Sequence, residues 1–135
     1  MAQVSGGDIT EVTYSNPVVP TGRIFAISGE DSDFDLGGFR NDDGGAVDGA
    51  GRFIIQKNRK PWMFNCTFSN DMGGANEFEA MNALQASNAE TTFTISLVNG
   101  VSYRGSGAVV GELKLNGNKS TFELNIMGGG FLIQM

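Results

Sequence analysis

Two stretches are dense enough in charged residues to do chemistry, one acidic and one basic. Asp31-Ser32-Asp33-Phe34-Asp35 has the alternating carboxylates that open an EF-hand calcium loop, and Asp42 falls at the twelfth position. Asp31, Asp33, Asp35 and Asp42 are therefore the candidate cation ligands. The pattern departs from a calcium loop where coordination is most demanding. Leu36 stands where the sharp turn needs glycine, the twelfth residue is not the bidentate glutamate, and no helical pattern flanks the loop. A solvated or intersubunit acidic loop is the better reading. The basic stretch Lys57-Asn58-Arg59-Lys60 reads as a solvated turn. Its sharper reading is a contact of Lys57, Arg59 and Lys60 with the acidic loop of a neighbouring copy, which would set electrostatic register.

Catalysis finds few candidates. There is no histidine, so the usual general base near neutral pH is missing. Cys66 alternates with polar neighbours on the apolar side of a strand, where a core role is expected. Glu77 and Glu79 fall in a first helical turn, where the helix dipole and capping account for them. The Gly-Gly pairs lack the lysine and hydroxyl residue of a phosphate loop. An enzyme is not expected, and neither is a cofactor.

The totals bound the remaining options. At 135 residues the chain is expected to form one domain, residues 1–135, large enough to bury a core without disulfides. Its one cysteine excludes an intrachain disulfide. The formal charge of −6 argues against wrapping nucleic acid, but suits a wall that DNA passes without sticking. Met1 to Asp8 lacks a basic region followed by an apolar run, so no signal peptide is expected, and no stretch approaches the roughly 18 apolar residues of a membrane helix. The 20 glycines fall mostly between strand-like runs and suggest turns, bends and hinges.

The elements that must position these residues are mostly strands. Phe93, Ile95 and Leu97 alternate with Thr92, Thr94 and Ser96, and Asn99-Gly100 then predicts a type I′ hairpin. The next strand is predicted to carry Tyr103, Val109, Leu113 and Leu115 on one face and Arg104, Glu112 and Lys114 on the other. After a turn at Asn116-Gly117-Asn118, Phe122, Leu124 and Ile126 alternate with polar residues. Earlier in the chain, 1–20 reads as an arm or broken edge strand limited by Pro17 and Pro20. Thr21 to Ser28 reads as a fully buried strand, and 29–51 as a long acidic loop. Arg52 to Gln56 and Trp62 to Phe68 read as a strand pair joined by the basic turn. One helix is predicted over 76–87, with Asn76 as cap and Glu79 as capping-box partner. The apolar residues 128–135 read as a C-terminal arm in want of a docking partner. The predicted class is mainly β: an antiparallel β-barrel or sandwich with one flanking α-helix and a long acidic loop.

This layout resembles the bacteriophage tail tube protein family, of the contractile-tailed type, and is similar to the type VI secretion tube protein. Ala75 to Ser87, the Gly105-Ser106-Gly107-Ala108-Val109-Val110-Gly111 run and Lys119 to Leu132 carry the resemblance, which covers roughly Thr21 to Met135. It implies hexameric rings stacked into a hollow tube that conducts the genome. It also implies a virion protein, made in the bacterial host cytoplasm, with a tail sheath protein and baseplate or tail terminator proteins as partners and DNA only as non-specific cargo. No membrane anchoring is expected. The intersubunit loop would use Asp33, Phe34, Asp35, Leu36, Phe39, Arg40, Asp42 and Asp43. Glu112, Glu123 and Asn125 are candidates for the lumen, and Phe131, Leu132 and Ile133 for C-terminal docking. The alternative is a monomeric β-sandwich binding module, either carbohydrate-binding through Trp62 and Tyr103 or a capsid decoration protein.

Overall fold

A computed structural model describes residues 8–27, 32–41, 45–71, 73–74, 76–87 and 89–135. Among these, the strands are β1 (Ile9–Ser15), β2 (Gly22–Phe25), β3 (Asp33–Asp35), β4 (Gly38–Asn41), β5 (Ala46–Val47), β6 (Phe53–Ile54), β7 (Lys57–Lys60), β8 (Trp62–Ser69), β9 (Thr91–Leu97), β10 (Ser102–Val110), β11 (Leu115–Asn116), β12 (Thr121–Gly128) and β13 (Ile133–Gln134). The helix α1 spans Glu77–Ala86. The class is mainly β and antiparallel with one helix, as predicted.

The main sheet runs β2-β1-β9-β10-β12-β8-β3, with β13 on β10 and β11 on β12. It bends into two layers over one core. Strand β10 makes the first corner: Ser102 to Gly107 pair with β9, and Ala108 to Val110 pair with β12. Ala26 makes the second, bridging Phe68 while the Ile27 N–H donates to the Thr67 carbonyl at 3.0 Å. The C-terminus makes the third. Phe131 bridges Gly37, and the Leu132 N–H donates to the Leu36 carbonyl at 2.8 Å.

Period-two alternation selects the core. Trp62, Phe64, Cys66 and Phe68 from β8 meet Phe122, Leu124 and Ile126 from β12 and Phe93 and Ile95 from β9, all buried. The Trp62 indole donates Nε1–H to the Ser106 carbonyl at 3.0 Å. Room for it comes from glycine. A Cβ on Gly128 would lie 2.5 Å from that nitrogen, and one on Gly105 would meet both the indole and Leu132. Gly105, Gly107 and Gly128 thus lie inside strands and permit a close crossing. They are not hinges, which corrects the reading of the Gly-rich run.

Other expectations shift for stated reasons. Strand β1 is interior, between β2 and β9, with Val12 and Tyr14 buried; Pro17 and Pro20 fall after it and do not limit it. Burial, and then the Glu77 carboxylate, push the Tyr14 phenol above its usual range. Strand β2 is short and buries Ile24 but not Phe25, so it is not buried on both faces. At Asn99-Gly100 only the glycine has positive φ. The Gly100 N–H donates to the Leu97 carbonyl, and the Leu97 N–H to that of Val101, so the loop is a three-residue turn ending in a glycine bulge rather than type I′. Strand β10 stops at Val110, where Gly111 has φ +77°, so Glu112 and Lys114 belong to a connection. The helix forms one residue shorter at each end than predicted and buries Met81 and Leu84. Its cap differs. Asn76 sits at φ 48° with no side-chain cap bond, and Asn70 Oδ1 instead accepts from the Phe78 N–H at 2.9 Å. Glu77 Oε2 accepts from the Asp71 N–H, so no capping box forms around Glu79.

Candidate interaction surface

The predicted acidic loop and basic turn are two legs of one hairpin. Asp33 to Asp35 pair with Asn65 to Met63, and Gly38 to Asn41 pair with Lys60 to Lys57, in the same register throughout. Gly37 and Gly38, both at positive φ, kink one leg beside Pro61 of the other. A Cβ on Gly37 would lie 2.6 Å from the Trp62 backbone nitrogen, so only glycine fits there. Below the kink the hairpin belongs to the sheet. Above it, β4–β7 and the β5–β6 tip form two separate two-stranded ribbons. This corrects the loop at 29–51, the Arg52–Gln56 partner for β8, and the basic turn. Lys57, Arg59 and Lys60 lie on a strand because Gly38 to Asn41 offer it a ladder.

The root residues serve their own chain. Phe34 packs on Phe64 and Tyr103, with ring centroids 6.4 and 5.3 Å away, so it is half-buried against its own core. Asp35 Oδ1 accepts from the Gly37 N–H at 3.0 Å, and its carboxylate pairs with Arg40. Asp33 and Asp35 project from one face of a strand, which is no calcium loop. Asp31, Asp42 and Asp43 lie outside the described residues.

The distal residues contact little of their own chain. Phe39 is 65% exposed, Val47 and Phe53 each 64%, and Ile54, Ile55 and Leu36 are also exposed. Arg59 places its guanidinium 4.8 Å from the Phe39 ring centroid, a cation–π contact. Lys57, Arg59 and Lys60 make no ion pair among the described residues. The tip is held by Asp48. Its Oδ1 accepts from the Ala50 and Arg52 N–H groups, and its Oδ2 from Arg52 Nε, each at 2.9 Å. The Arg52 N–H foremost holds the Asp48 carboxyl below its usual range. Val47, Phe53, Ile54 and Ile55 were missed as surface candidates. The available signal was the run Phe53-Ile54-Ile55 between two glycines and a basic strand, apolar but without a partner pattern.

The other predicted sites separate. Glu123 and Asn125 share the outer face of β12, whereas Glu112 pairs with Lys114 at 3.0 Å on the connection after β10. At the C-terminus, Leu132 is buried against Trp62 and Gly105 of its own chain. That removes it from the docking set, because β13 adds to β10 and draws it inward. Phe131 and Ile133 remain exposed. Trp62 is fully buried and presents no stacking face to a sugar. No helix among the described residues is long and apolar enough to cross a membrane. No protein-family model matches the chain, and no curated protein matches it in sequence.

Proposed function

We propose that this chain is a structural virion protein whose copies form hexameric rings, stacked into the hollow tail tube through which a phage genome leaves. One observation carries the reading: a hairpin projects past a closed core and displays Phe39, Val47, Phe53, Ile54 and Ile55 to solvent. An isolated two-stranded ribbon is marginal in water, and these side chains stay largely exposed on their own chain. Contact with another copy supplies both deficits. A head-to-tail contact of this kind closes into a ring when its rotation permits, and an obligate one buries on the order of 2,000 Å² or more. The ring number, the sheath, baseplate and terminator partners, and the cargo role of DNA follow from the tail-tube resemblance. Burial of Trp62 counts against the carbohydrate-binding alternative.

Negative-stain microscopy and light scattering of the purified protein test the proposal. Rings or tubes support it. Monodisperse monomers at high concentration, with no tubes in virions, refute it.

A further inference from the structure

Two Asn-Gly pairs, Asn99-Gly100 and Asn116-Gly117, lie exposed at turns, and neither belongs to the surface described above. An asparagine before glycine is able to cyclise, because no Cβ shields the next backbone nitrogen from the side-chain amide carbon. The two pairs differ first at that nitrogen. The Gly100 N–H is committed: it donates to the Leu97 carbonyl at 3.1 Å, in a turn clamped by β9 and β10 with Gly100 at φ +91°. The Gly117 N–H makes no hydrogen bond among the described residues, and a Cβ on Gly117 would meet nothing within 4 Å. Only Leu115 and Asn116 of β11 pair with β12, so the ladder restrains this turn little. The pairs differ again at the amide. Asn116 Oδ1 accepts from the Asn118 and Lys119 N–H groups at 3.1 and 3.2 Å, whereas Asn99 Oδ1 accepts from the Val101 N–H at 3.1 Å and from no other donor among the described residues. Two donors polarise the Asn116 carbonyl and hold the negative charge that collects on Oδ1 when a nucleophile adds.

We propose that Asn116 is a site of self-modification, at which the Gly117 nitrogen attacks Asn116 Cγ and turns the asparagine into a mixture of aspartate and isoaspartate. The N–Cγ bond forms as the Gly117 N–H proton passes to solvent base. The Cγ–Nδ2 bond breaks, and Nδ2 takes up a proton and leaves as ammonia. Water then opens the cyclic imide. Opening at Cγ gives aspartate. Opening at the main-chain carbonyl gives isoaspartate, whose backbone reaches Gly117 through Cγ. Either product adds one negative charge, and isoaspartate lengthens the chain by a methylene beside the Asn116–Thr121 pair. The inference does not rest on self-assembly.

Ageing the purified protein at mildly alkaline pH, with residue-level mass spectrometry of its fragments, tests it. Asn116 should yield both products at least about fivefold faster than Asn99, the rate equivalent of one backbone hydrogen bond. In urea, where both turns are open, the two rates should converge. Gly117→Ala fits without strain, because Gly117 does not have positive φ. It should leave the melting temperature unchanged and remove most of the conversion at Asn116. The proposal is overturned if Asn99 converts as fast as Asn116 in the folded protein, or if a difference between them persists unchanged in urea and so belongs to local sequence. Aspartate without isoaspartate at Asn116 would mean direct hydrolysis and no ring. Undiminished conversion in Gly117→Ala would rule out the Gly117 nitrogen as the attacking group.

Discussion

Leu132→Ala asks whether the C-terminal residues belong to their own core or to a neighbour. Leu132 is 3% exposed, and its Cδ2 lies 2.6 Å from where a Cβ on Gly105 would stand, so it occupies the space that glycine leaves open. Truncating a buried leucine costs about 2–5 kcal/mol, depending on how far the site collapses. Here Gly129 and Gly130 lie just upstream and allow some relaxation, which places the cost near 3 kcal/mol. An unfolding entropy of about 2.1 cal/mol/K per residue gives about 0.28 kcal/mol/K for 135 residues, so the melting temperature should fall by roughly 10 °C. Ile133→Ala and Phe131→Ala, each at a residue 58% exposed, are the controls and should cost less than about 1 kcal/mol. The assay is thermal and urea unfolding of dispersed protein, in a Phe53→Lys background if assembly intrudes. The reasoning is refuted if Leu132→Ala leaves the dispersed protein as stable as Ile133→Ala does and weakens only assembly. Leu132 would then serve a partner.

The helix cap offers a second test. Asn70→Ala removes the acceptor of the Phe78 N–H and should cost about 1–2 kcal/mol in urea titration, whereas Asn76→Gly relieves a left-handed residue and should be neutral or stabilising. The opposite order would restore Asn76 as the cap. The tip should respond to acid. The folded pKa of Asp48 is depressed, so its contribution is complete above the ordinary carboxylate value near 3.9 and is lost as pH falls through the lower folded value. Amide exchange at Ala50 and Arg52 should accelerate over that window, and Asp48→Asn should abolish the step. Unchanged exchange on acidification would show that the carboxylate does not hold the tip.

Alternation was enough to place β8, β9 and β12 and their inward faces, because period two is a local property of a half-buried strand. The single helix was legible too, since Met81 and Leu84 repeat at helical spacing. The acceptor at the helix start was not, because Asn70 approaches Phe78 only after the intervening loop closes. Neither was the role of Gly105, Gly107 and Gly128. Glycine marks permission for a backbone approach, and only the crossing of β10 and β12 over Trp62 reveals which approach is used. The hairpin was hidden for the same reason. Its legs are joined by pairing between residues as far apart as Gly38 and Lys60, and neither short leg has enough apolar alternation to announce itself. Residue order thus determined which side chains turn inward, because that preference acts on neighbours. Only the tertiary structure decided which strands meet, and so which apolar residues were left outside, because pairing is a choice among distant edges.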